Sequence, residues 1–97
     1  MPEALLFEFS GVNAHDYRAV NHKLGLDPNT GDGAWPVGLL SHTGASTEGG
    51  FIVFEVWESQ EVQVDWMTSR LGPALVQIGL PEPTRVQWSS VAGHYTA

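Results

Sequence analysis

The sequence predicts an α+β, ferredoxin-like fold of order β-α-β-β-α-β, a four-stranded antiparallel sheet with two helices on one face, and three observations carry this. Four β-prone segments are interleaved with two amphipathic ones, which fall after the first strand and after the third. Each amphipathic segment opens on an Asn or Ser suited to capping and closes on a glycine. The length, 97 residues, suits one domain, so residues 1–97 are expected to form a single unit.

Residues 4–10 (ALLFEFS) are rich in Leu and Phe, with Glu8 and Ser10 on alternate positions, which reads as a half-buried first strand. Asn13 is placed to cap a helix over 14–24 by accepting from the amide of Asp16. Tyr17, Val20 and Leu24 recur there at spacings of three and four, and Gly25 can close the helix in the left-handed region. Residues 26–36 (LDPNTGDGAWP) hold two prolines and two glycines, which forbids regular structure. Such a loop in a small domain is more often functional or mobile than a plain connector.

Residues 37–45 and 51–57 read as a hairpin, its turn at 47–50. Phe51, Ile52, Val53, Phe54 and Val56 are the most β-prone run, expected to be buried on both faces. Ser59 caps the second helix, in which Val62, Met67, Leu71, Leu75 and Ile78 follow at near-helical spacing. Gly72-Pro73 must kink or restart that helix, because proline lacks the amide and crowds the preceding turn. Gly79 ends it, and residues 84–92 form the last strand. Right-handed crossovers put both helices on one side of the sheet. The other side is then a bare apolar face, for which a second copy is the natural cover, so a homodimer is expected.

Four Lys and Arg against eleven Asp and Glu give a net charge of −7, which argues against a nucleic-acid partner. The absence of cysteine excludes disulfides, thiolate metal sites and Cys nucleophiles. No signal-peptide pattern and no apolar window of about 18 residues occurs, so no membrane association and a cytoplasmic location are expected.

With the turn at 47–50, Ser46 opposes Phe51 and His42 lies across from Glu55 on one face, with Cβ atoms about 5 Å apart. A carboxylate beside an imidazole orients the ring as a general base needs, although a cross-strand ion pair has the same signature. By alternation Glu8 and Glu55 are expected together on the face away from the helices. His15 and His22, seven apart on the first helix, match no metal-ligand spacing and read as solvated surface, while His94 near the carboxyl end suits an interface. No metal site is expected, and there is neither a phosphate-binding glycine loop nor a Gly-x-Ser-x-Gly elbow. Of four tryptophans, Trp57 and Trp88 read as core, whereas Trp35 in the loop and Trp66 beside Asp65 offer flat apolar walls to a planar aromatic guest. Core packing is the competing account of Trp66.

The segment Val56-Trp57-Glu58-Ser59, with Trp66 nine residues after Trp57 in the next helix, resembles the antibiotic biosynthesis monooxygenase superfamily. The resemblance spans nearly the whole chain as topology but only a short stretch as motif. It implies a dimeric α/β barrel, a helix–sheet pocket to which Trp66, Tyr17 and Arg70 could contribute, and oxidation of a phenolic molecule without a cofactor. The superfamily's haem-degrading branch uses a first-strand Asn, a Trp on the second helix and a His farther along it. Here Trp66 matches the Trp, but Val76 stands at the His position and residues 1–12 contain no Asn, so haem degradation is not expected. The expectation is therefore a small homodimer that binds a planar hydrophobic molecule and acts on it as a cofactor-independent monooxygenase. Catalytic roles fall to His42, Tyr17 and Glu55, and ligand contacts to Trp66, Trp35, Phe54 and Arg70. The alternative is a non-catalytic ligand-binding or interaction module.

Overall fold

The expected strand and helix signals resolve into defined elements in the computed structural model, which describes residues 2–97. These are β1 (Glu3–Ser10), α1 (Ala14–Leu24), β2 (Leu39–Thr47), β3 (Gly50–Trp57), α2 (Gln60–Trp66), a π-helical turn (Met67–Leu71), α3 (Gly72–Ile78) and β4 (Arg85–Ser90). The strands form one antiparallel sheet in the order β2-β3-β1-β4, with the helices on one face, a ferredoxin-like α+β fold.

Helix α1 starts where the sequence places it. Asn13 Oδ1 accepts from the Asp16 amide and the Asp16 carboxylate accepts from the Asn13 amide, both at 3.0 Å, a reciprocal cap. Gly25, at φ 72°, ends the helix. The second helical segment neither breaks nor restarts at Gly72-Pro73. Its backbone stays right-handed throughout, and the strain of the missing proline amide is absorbed by widening one turn, in which the Gly72 amide donates to the Met67 carbonyl. Gly79 closes α3 at φ 82°.

Register decides what faces the helices. Leu5 pairs with Glu55 and Phe9 with Phe51, so these four share the helix-side face. Leu5 and Trp57 are fully buried there and, with Phe7, anchor one core cluster. Val20, Leu24, Leu26 and Ala74 form a second cluster between α1 and α3, and Trp66 packs against both. Burial of each large apolar side chain stabilises the fold by about 1.5–3 kcal/mol.

The opposite face carries Leu6, Ile52 and Phe54. The expectation that β3 is buried on both faces holds at Val56, which is buried on that side, and fails at Phe54, which is 46% exposed where no helix among the described residues covers it. Among the described residues, no helix is long and apolar enough to cross a membrane.

Candidate functional site

Three elements bring their side chains to one point between helices and sheet. The β2–β3 hairpin pairs His42 with Glu55, as its turn length requires. Glu55 is only 4% exposed and receives two donors. The Trp57 indole N–H donates to Glu55 Oε1 at 3.0 Å, and His42 Nδ1 lies 2.6 Å from Oε2. A carboxylate can only accept, so Nδ1 carries a hydrogen, and in the tautomer with that single hydrogen Nε2 is an acceptor. Tyr17, from α1, fills that position with its hydroxyl 2.5 Å from Nε2. The phenol donates, and the result is a relay Tyr17–His42–Glu55 with Trp57 holding its far end.

The Tyr17 ring lies 9° from parallel to the His42 ring and 4.8 Å from the Phe51 ring. It fits over β2 only because residue 44 is glycine, where a Cβ would stand 2.7 Å from Tyr17 Cζ. Burial, chiefly, pushes the Tyr17 phenol above its ordinary pKa; the nearby Asn21 amide opposes this and the Glu55 charge adds to it. At neutral pH Tyr17 is thus a neutral donor.

The relay borders a cavity of about 80 Å³, walled mainly by apolar groups such as Phe7, Leu24, Trp35, Trp66 and Met67. Tyr17, Asn21, His42 and Glu55 supply its polar edge. A larger outer cleft of about 570 Å³ lies between α1 and the 26–36 loop and shares Tyr17, Asn21, Leu26 and Phe51 with the chamber. Trp35 closes another side, its ring 5.3 Å from that of His42 and its N–H bonded to the Asp32 carbonyl at 3.1 Å. The indole is thereby tied to its own loop, which Asp27 folds by accepting the amides of Asn29 and Gly31.

Of the residues expected at a site, Tyr17, His42, Glu55, Trp35 and Trp66 border one chamber. Trp66 is also core, so the two accounts of it are not exclusive. Phe54 and Arg70 do not line the chamber. Phe54 neighbours Glu55 in sequence and so points to the opposite sheet face. Arg70 is exposed, with its guanidinium 5.6 Å over the Trp66 ring and one N–H directed to the Leu24 carbonyl at 3.5 Å, backing the indole from outside. The expectation that Glu8 and Glu55 share the far face is also corrected. Glu55 pairs with Leu5 and faces the helices, while Glu8 meets Arg85 at 3.6 Å on the open side. His15, His22 and His94 are exposed, and Val76 is 79% exposed.

Asn21 was not singled out by sequence. It is 6% exposed and lies one turn from Tyr17, between Val20 and Leu24. Its signal is a polar residue four positions after Tyr17, inside an otherwise apolar stripe.

No family model and no curated protein matches the chain. Solved structures do. A candidate antibiotic biosynthesis monooxygenase from Chloroflexus aurantiacus aligns with a TM-score of 0.67 and 13% identity, over 99% of this chain and 98% of that one. Rv0793 from Mycobacterium tuberculosis gives 0.69 and 15%, over 99% and 100%. A candidate antibiotic biosynthesis monooxygenase from Deinococcus radiodurans gives 0.56 and 12%, over 100% and 98%. At such identities the likeness is one of fold, and at that level the resemblance read from the Trp57-Glu58-Ser59 turn holds.

Proposed function

We propose that this protein binds a planar, largely apolar small molecule in the chamber beside Tyr17 and takes a proton from it through the Tyr17–His42–Glu55 relay. The single observation that carries this reading is a hydrogen-bonded acid–base chain at the edge of an otherwise apolar cavity. As an acidic ligand proton reaches Tyr17 Oη, the phenol passes its own proton to His42 Nε2. The imidazolium so formed is stabilised by Glu55, which the Trp57 indole holds in place.

The fold it shares with proteins named as candidate monooxygenases supports oxygenation as the next step, without a cofactor. A deprotonated, electron-rich ligand reduces molecular oxygen. At the methylene of an anthrone-like ring, one oxygen atom becomes the new carbonyl and the other leaves as water with the two hydrogens. The chamber of about 80 Å³ is smaller than the ~150 Å³ cavity that holds benzene, so even a single ring extends past Tyr17 towards the outer cleft or displaces the Trp35 loop. A second copy covering the Leu6–Phe54 face completes the reading as a homodimer.

The test is incubation with anthrone- and dihydroquinone-type phenols in air, followed by quinone absorbance and by tryptophan fluorescence. Turnover that falls in Tyr17→Phe by about 10²–10⁴ supports the relay. Quenching without turnover in the wild type leaves a ligand-binding protein. The absence of both leaves an interaction module, for which the open sheet face is the supporting feature.

A further inference from the structure

One buried polar group is left over by the fold and touches the relay only through its influence on Tyr17. Asn21 Nδ2 is buried and has no hydrogen-bond partner among the described residues. An amide in that state has no acceptor within the protein, and native interiors pair such groups with a water, a ligand or another polar group. Packing does not explain the choice, since Val20 and Leu24 flank the position and an apolar side chain would fill it without an unpaired donor. Its location is informative, because Asn21 borders both the apolar chamber and the outer cleft. Tyr17, its neighbour at that junction, already gives its hydrogen to His42.

We infer that Asn21 Nδ2 is the donor that receives an acceptor oxygen of the ligand, which makes the ligand an aromatic ring bearing a carbonyl or phenolic oxygen at the edge that meets Tyr17. This rests on the chamber reading above and adds orientation to it. The apolar ring body lies among Leu24, Trp66 and Met67, and the oxygen-bearing edge sits at the junction. Any polar substituent points to the outer cleft, whose lining includes Arg18, His22, Asp27 and Asp32. The same pose sets the ligand's ionisable edge beside the relay, so one asparagine provides both recognition and register. The Asn21 amide lies near enough to the Tyr17 hydroxyl to lower its pKa, so its N–H faces the junction and a ligand oxygen there competes with Tyr17 for it.

The experiment compares acetophenone with α-methylstyrene, which replaces the carbonyl oxygen by a methylene at nearly the same shape. Calorimetric titration of the full chain is expected to give the ketone about three- to tenfold tighter binding, the range of one neutral hydrogen bond. In Asn21→Leu the two ligands should fall within about twofold of each other. The ligand-free variant should unfold at the same or a higher denaturant concentration than the wild type, because an unpaired buried amide has been removed. Equal binding of both ligands by the wild type, or a preference that survives in Asn21→Leu, overturns the inference and leaves the chamber reading standing. A sharply lower unfolding midpoint also overturns it, by showing that the amide has a structural partner. If the wild type binds neither compound, the chamber reading itself falls, and this inference with it.

Discussion

The Tyr17 hydroxyl reaches His42 because residue 44 has no side chain. In Gly44→Ala the added methyl would press on Cζ at 2.7 Å, and the ring tip yields more easily than a helix fixed at both caps. The expected outcome is a folded protein, destabilised by about 1–3 kcal/mol, in which the phenol has left Nε2 and turnover drops as far as in Tyr17→Phe. Circular dichroism melts beside the quinone assay check both halves. The phenol also sets a pH dependence. Its folded pKa is raised above that of the unfolded chain, so the native state holds the proton more firmly. The resulting stability is fully present below about pH 10 and is lost as pH rises through the folded value. Urea unfolding from pH 8 to 11 should therefore weaken the wild type more than Tyr17→Phe; parallel curves would show that Tyr17 is not shifted. At this scale the sequence was readable only where a short turn sets geometry. The 47–50 turn brings His42 to Glu55, but the face that pair occupies depends on the pairing of Leu5 with Glu55, fifty positions apart, and so Glu55 was expected on the wrong side. An unpaired amide at Asn21 exists only once packing has removed its water, and no local pattern announces that.

Elements were more legible than contacts because their ends are written locally. Asn13 with Asp16, Ser59 with Val62, and glycines at 25 and 79 mark both helical segments within a residue or two of their observed limits. The Gly72-Pro73 pair was legible as a disturbance but not as its form. A proline forbids one hydrogen bond, and whether the helix breaks, kinks or widens is settled by how strongly both halves are packed. Here Trp66 and Met67 on one side and Ala74 on the other are held in the core, and the wide turn keeps them all seated. That makes Gly72→Ala diagnostic. In an ordinary helix interior the change stabilises by about 1 kcal/mol. In the wide turn its Cβ would stand 2.8 Å from the Met67 carbonyl oxygen, a backbone atom that cannot step aside. Gly72→Ala should therefore lower the unfolding midpoint and disturb the chamber wall at Met67; a raised midpoint would mean that the turn closes into regular α-helix.

At the scale of the whole molecule, the two faces of the sheet differ in what covers them. Helices cover the side of Leu5, Phe7 and Trp57, and the relay lies beneath them, whereas Leu6, Ile52 and Phe54 lie on a side that no helix crosses. Phe54 illustrates how the faces separate: one residue away from Glu55, it lies outside the chamber and is 46% exposed. If a second copy covers that side, the protein should sediment at about 21 kDa, twice its 10.5 kDa. Phe54→Glu would place a charge in the dry centre of that contact, opposite its own copy or near Glu8, and should give a monomer. Because the chamber lies on the far side of the sheet, acetophenone binding should persist in the variant to the extent that the monomer stays folded. Sedimentation velocity combined with the same titration separates the cases. A monomeric variant that still binds places assembly and recognition on opposite faces, and one that loses binding in step with its fold makes the second copy a structural support of the chamber. A wild type that sediments as a monomer removes the homodimer from the reading while leaving the relay and its chamber untouched.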